Sequence, residues 1–132
     1  MNQASTYTPG VCNIGPAEIR RRRRAGWGGV AATAVLLAAL WAVRAPAAWL
    51  WLTALPVAAA AVGFLQAALH FCANFGLRGV YNFSPKLGRT DTVIQAQYRA
   101  ADRHKANRII LASLAIGVAV AAIIFLLVKT YA

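Results

Sequence analysis

Three long stretches without a charged residue, 25–43, 47–69 and 109–128, limit this chain more than anything else in its sequence. As a helix the first would measure about 28 Å, enough to cross a hydrocarbon core of about 30 Å. Lipid cannot satisfy backbone polar groups, so each stretch is expected to be a helix. The expected fold class is an all-α integral membrane protein with three transmembrane helices. A composition of 60% apolar against 13% charged residues agrees, since it lies outside the usual range for a soluble globule. The opening basic run, the first apolar stretch and Ala45-Pro46-Ala47 resemble a signal peptide. That apolar stretch exceeds the roughly 7–15 residues such a segment uses, so a membrane span is expected instead.

The chain divides into a basic arm, 1–24, a transmembrane hairpin, 25–69, an aromatic and basic loop with a helix, 70–108, and a third span with a short tail, 109–132. Pro9, Gly10, Gly15 and Pro16 interrupt the arm, and Pro16-Ala17-Glu18 is placed to open a short helix ending in Arg20–Arg24. Arg44-Ala45-Pro46-Ala47 is only long enough for a turn, so the first two spans form a tight antiparallel pair. Pro56, near the middle of the second, is expected to kink it. Thr92 and Gln95 have capping-box spacing, which predicts a helix over 92–108. That helix either runs unbroken into the third span, projecting about 25 Å from the membrane, or bends near Asn107 and lies on the headgroups.

Fourteen basic residues against three acidic ones give a net charge of +11, and the cations flank the apolar stretches. Arg20–Arg24 precede the first span and Arg78 to Arg108 carry seven more between the second and third, whereas Arg44 and Lys129 stand alone on the other side. The positive-inside rule then puts the amino terminus and the long loop in the cytoplasm of a bacterial inner membrane, with the carboxyl terminus outside. Anionic lipid headgroups are the expected partner of this charge. Nucleic acid is not, because no recognised binding pattern accompanies it.

The stretch His70 to Ser84 gathers a histidine, a thiol, aromatic rings, glycines and an arginine at the end of an apolar run. Two residues apart on a helix, His70 and Cys72 point about 200° away from each other and share no metal unless the helix breaks. His70 alone is a candidate ligand for the metal of a haem or chlorophyll-type pigment, set against a plain interfacial histidine. Cys12, Cys72 and His104 join His70 as a permitted metal set, though no ligand spacing supports it. Asn74, Arg78 and Asn82 would line one helical face if the helix continued through Gly76. Arg20, Arg21, Arg22, Arg23 and Arg24, with Phe71, Phe75, Arg78, Tyr81 and Phe83, are the expected contacts to lipid or a partner. No catalytic residue is expected: Glu18, Asp91 and Asp102 are the only acids and form no pair for acid–base work. Small residues recur at four-residue spacing on every span, Gly28 and Ala32, then Ala59, Gly63 and Ala67, then Ser113, Gly117 and Ala121. Such seams let helices approach closely in lipid.

Cys12-Asn13-Ile14-Gly15, the basic residues after it, the tight hairpin, Gly63-Phe64, Phe71-Cys72 and Phe75-Gly76-Leu77 together resemble the YgaP-type inner-membrane family over about residues 12–80. That family closes its hairpin with a glycine-phenylalanine-cysteine-proline pattern, whereas Ala73 follows Cys72 here. Residues 85–132 have no counterpart. The resemblance implies a hairpin that dimerises or docks, and no activity. The leading expectation is therefore a non-catalytic accessory or assembly subunit of a larger respiratory or photosynthetic membrane complex, packed against other integral membrane subunits. The alternatives are a haem-, pigment- or metal-binding membrane protein using His70 and Cys72, and a lipid-binding homo-oligomer that organises the membrane.

Overall fold

The computed structural model describes residues 7–131 and is mostly helical. Helix α1 spans Pro16–Ala42, a 3-10 segment spans Ala47–Thr53, and α2 spans Ala54–Leu69. A short α3, Ala73–Arg78, is followed by strands β1, Val80–Tyr81, and β2, Asp91–Thr92, and then by α4, Ala96–Tyr131. Three helical stretches, Pro16–Ala42, Ala47–Leu69 and Ala96–Tyr131, are long and apolar enough to cross a membrane.

The expected short basic helix and first span are one helix. Pro16 stands at its first turn, where a missing N–H costs nothing, and Glu18 complements the helix dipole there. Its 27 residues reach about 40 Å, more than a hydrocarbon core needs, so the arginine-bearing turns extend past one end of the apolar stretch. A Schellman motif closes α1. The Arg44 amide donates to the Trp41 carbonyl at 3.1 Å and the Ala45 amide to the Leu40 carbonyl at 3.0 Å. Arg44 itself has φ +53°, a left-handed position where a non-glycine residue costs about 1 kcal/mol.

Pro56 does not interrupt an α-helix already under way. It falls in the first turn of α2, just after the chain changes from 3-10 to α winding near the middle of the second span, where its lost hydrogen bond matters little. Nor does a capping box start the last helix at Thr92. Asp91 and Thr92 pair antiparallel with Tyr81 and Val80 in a small sheet, with the Val93 amide donating to the Gly79 carbonyl at 2.8 Å, and α4 begins at Ala96. From there α4 is continuous for 36 residues, about 54 Å, with no break at Asn107. Its polar half does not project alone, because α3 packs against it.

α2 packs against both α1 and α4, with glycines at each crossing. A Cβ on Gly63 would stand 2.5 Å from the Gly26 amide nitrogen and 2.7 Å from the Arg22 carbonyl oxygen of α1. A Cβ on Gly117 of α4 would stand 2.5 Å from the Ala54 carbonyl oxygen. Ser113 and Ala121 are fully buried on the same side of α4, and Ala67 on α2 is buried as well. Gly28, Ala32 and Ala59 differ from the expectation: they face outward, and the α1–α2 contact uses Gly26, Gly29 and Ala60 instead. The helical period explains the shift, since residues one position apart lie about 100° apart around the axis.

Substituting Gly63 by leucine is expected to cost about 1–3 kcal/mol by forcing α1 and α2 apart. The same change at Gly28, where a Cβ meets nothing within 4 Å, should leave stability nearly unchanged. Thermal unfolding of the two variants in mild detergent, followed by circular dichroism, checks this.

Candidate functional site: a polar knot at the basic end

Residues 7–15 fold back onto the stretch that follows α2. Asn13 makes the central contacts: its side-chain oxygen accepts from the Cys72 amide at 2.7 Å and its side-chain amide donates to the Cys72 carbonyl at 3.1 Å. Its backbone N–H donates to the His70 carbonyl at 3.2 Å, and its own carbonyl accepts from the Asn82 amide at 3.0 Å. The Gly15 amide then donates to the Asn82 carbonyl at 2.9 Å, which sets Ile14 beside Asn82 in a parallel bridge.

Asn82 carries the network onward. Its side-chain amide donates to Glu18 Oε1 at 3.2 Å and to the Lys86 carbonyl at 2.9 Å, while its Oδ1 accepts from the Ser84 amide and hydroxyl. Glu18 is fully buried, yet its charge is met from both sides. Oε1 accepts from the Gly88 amide at 2.7 Å, and Oε2 pairs with Arg22 at 2.9 Å, one helical turn on. Arg22 also donates to Cys72 Sγ at 2.9 Å and lies over the Phe75 ring at 5.4 Å.

A second carboxylate ties the arm to α4. Asp102, also fully buried, accepts from the Tyr7 hydroxyl at 2.6 Å and from the Gly10 amide at 2.7 Å. Burial, and then the hydrogen bond and charge of Asp102, push the Tyr7 phenol well above its usual range. Burial also raises the Cys12 thiol. Both groups therefore hold their protons at neutral pH.

Two apolar clusters sit under this network. Ile14, Ile19, Ala67, Cys72 and Phe75 form one, and Phe71, Ala73, Ala106 and Ile109 the other. Phe71 and Phe75, expected to meet lipid or a partner, are core residues instead. Burying a phenylalanine fully contributes about 1.5–3 kcal/mol, more than a rim position would yield. Tyr81 and Phe83 are half-buried, with Tyr81 stacked on Tyr7 at 4.8 Å, and Arg78 is exposed. Of the arginine run, Arg20, Arg21, Arg23 and Arg24 are exposed and Arg22 alone turns inward.

His70 is exposed and has φ +55°, terminating α2 with the Phe71 amide bonded to the Gln66 carbonyl at 3.1 Å. Its position is explained by the backbone, because a helix stop needs a left-handed residue and histidine adopts that conformation more readily than most. Among the described residues no three His, Cys, Asp or Glu side chains stand close enough to hold a metal ion, so Cys12, Cys72, His70 and His104 are not gathered into a site. The helix also stops before it can align Asn74, Arg78 and Asn82: α3 ends at Arg78, Gly79 takes φ +71°, and Asn82 turns into the knot. Three linchpins, Asn13, Asn82 and Gln66, whose Oε1 accepts from the Ala73 amide at 2.7 Å, together with the inward Arg22, are not legible in the sequence. The one available signal was that a chain so poor in acids spends two of its three where polar segments meet.

Replacing Asn13 with alanine leaves the Cys72 amide buried without a partner, a cost of about 1–3 kcal/mol, while the Cys72 carbonyl keeps the Gly76 amide as its donor at 2.9 Å. Alkylation of Cys72, followed by mass spectrometry, should accelerate at least tenfold in that variant. His70→Gly, which keeps the left-handed turn, should leave the rate at or below that of the unaltered protein. A second expectation concerns alkali. The folded phenol of Tyr7 keeps its proton beyond the pH at which an unfolded tyrosine loses it. Its contribution to stability is therefore complete below about pH 10 and is lost as pH rises further. Tyr7→Phe should flatten that part of the profile of unfolding temperature against pH.

No protein-family model matches this sequence, and neither the curated proteins nor the solved structures contain a match.

Proposed function

We propose that this chain is a non-catalytic accessory subunit of a larger complex of the bacterial inner membrane, of the respiratory or photosynthetic kind. It packs through the outer face of α1 on other integral membrane subunits. The observation that carries the reading is the Gly28 and Ala32 face, which points away from the rest of the chain and leaves the α1 backbone open to close approach by another helix. The polar knot supports it in a second way. Glu18, Asp102, Asn13 and Asn82 direct their polar contacts to Arg22, the Tyr7 hydroxyl, neighbouring side chains of the knot and backbone, and so serve to hold the basic end together.

In this reading the basic end lies in the cytoplasm, as the positive-inside rule places it. The exposed Arg20, Arg21, Arg23 and Arg24 ring the helix at headgroup depth, where each contributes about 1 kcal/mol of attraction to an anionic leaflet. The hairpin is thereby fixed in depth and rotation before any partner is met.

Gentle solubilisation of native membranes followed by sizing is expected to recover the chain in a particle much larger than 14.0 kDa, with other integral membrane proteins bound. Gly28→Leu should release it from that particle without unfolding it. Recovery as a lone chain or homodimer, in both forms, would sink the proposal.

A further inference from the structure

The end of the molecule opposite the knot holds a cavity of about 780 Å³ between the hairpin turn and the last turns of α4. Leu37, Leu40, Trp41, Leu50 and Val128 contribute to its walls, and Arg44 is the one charged residue lining it. We propose that this cavity binds one anionic phospholipid, its phosphate on Arg44 and an acyl chain along α1.

Three observations converge on that occupant. The first is the position of Arg44 itself. It occupies the left-handed residue of the Schellman turn, where glycine fits without strain, so an arginine side chain is held at the cavity mouth against backbone preference. The second is charge. The chain has three acidic side chains, and all belong to the other end: Glu18 and Asp102 inside the knot, Asp91 in β2. Lys129, the other cation near the hairpin, lies over the Phe125 ring at 5.6 Å. Among the described residues Arg44 therefore meets no carboxylate, and a planar guanidinium suits a phosphate oxygen pair.

The third observation is the shape of the apolar space. A second cavity of about 310 Å³ lies between Val30 and Thr33 of α1 and Val57 and Ala60 of α2, and Leu37 lines both. From Val30 to Arg44 is about 20 Å along the chain's helical rise, comparable with the roughly 15 Å depth of one leaflet. A charge at one end of an apolar path of leaflet length matches a phospholipid. A neutral or zwitterionic lipid fills the apolar path equally well but leaves the arginine's charge less well balanced.

The test is native mass spectrometry of the full chain from detergent micelles doped with phosphatidylglycerol or phosphatidylethanolamine. The unaltered protein should retain one phosphatidylglycerol under activation that strips phosphatidylethanolamine, and Arg44→Lys should keep most of that retention. Arg44→Gln should lose about tenfold. Arg44→Gly should lose the lipid equally while unfolding at a higher temperature, which separates loss of the site from loss of the fold. Leu37→Trp, which fills the junction of the two cavities, should expel both lipids. Retention by Arg44→Gln equal to that of the unaltered protein overturns the assignment. So does loss that appears only when Arg20, Arg21, Arg23 and Arg24 are changed to glutamine.

Discussion

Asn13 holds the amide and the carbonyl of Cys72 at once, and that pair of hydrogen bonds decides where the amino-terminal arm lies. With the arm in place, Gly15 and Asn82 are brought together, α1 starts at Pro16 beside them, and Glu18 is delivered into a pocket of amide donors. The carboxylate could not remain buried otherwise. An unpaired charge in that position would cost several kcal/mol, so Glu18, Arg22, Asn82 and the Gly88 amide form a unit that is satisfied together or not at all.

The knot depends in turn on the crossing of α1 and α2 beside it. Gly63 lets α2 approach the Arg22 turn of α1 at backbone distance, and that approach places the guanidinium within reach of Cys72 and over Phe75. Two different physical regimes therefore meet within about one helical turn. Along the apolar stretches close packing of glycine and alanine faces holds the helices, the kind of contact that also serves where apolar side chains gain nothing by leaving solvent. At the basic end hydrophobic burial of Phe71, Phe75 and Ile14 works beside the polar network.

The stretch from His70 to Ser84 illustrates how a concentration of reactive side chain types can have a backbone cause. His70 stops a helix, Gly79 stops the next, Cys72 is covered by Arg22, and the aromatic rings divide between core and stacking against the arm. The residues share a segment because the chain makes two tight reversals there, each with its own demand on φ. Nothing about their spacing along the sequence reveals that division, since it depends on where the arm sits.

Three helices long and apolar enough to span a membrane were determined by the sequence alone, as was the hairpin of the first two, whereas the sequence left open whether the last helix runs unbroken. Uncharged length acts locally, whatever the rest of the chain does. Which small residues pack and which face outward was decided only by tertiary structure. Each helix offers several such faces, and a rotation of about 100° exchanges Gly28 for Gly29 at the contact. The same holds for Thr92, which could open a helix but lies opposite Val80 in the small sheet, and for Asn13, Asn82, Glu18 and Asp102. Their roles rest on hydrogen bonds across as many as 95 positions, a separation over which no local pattern carries information.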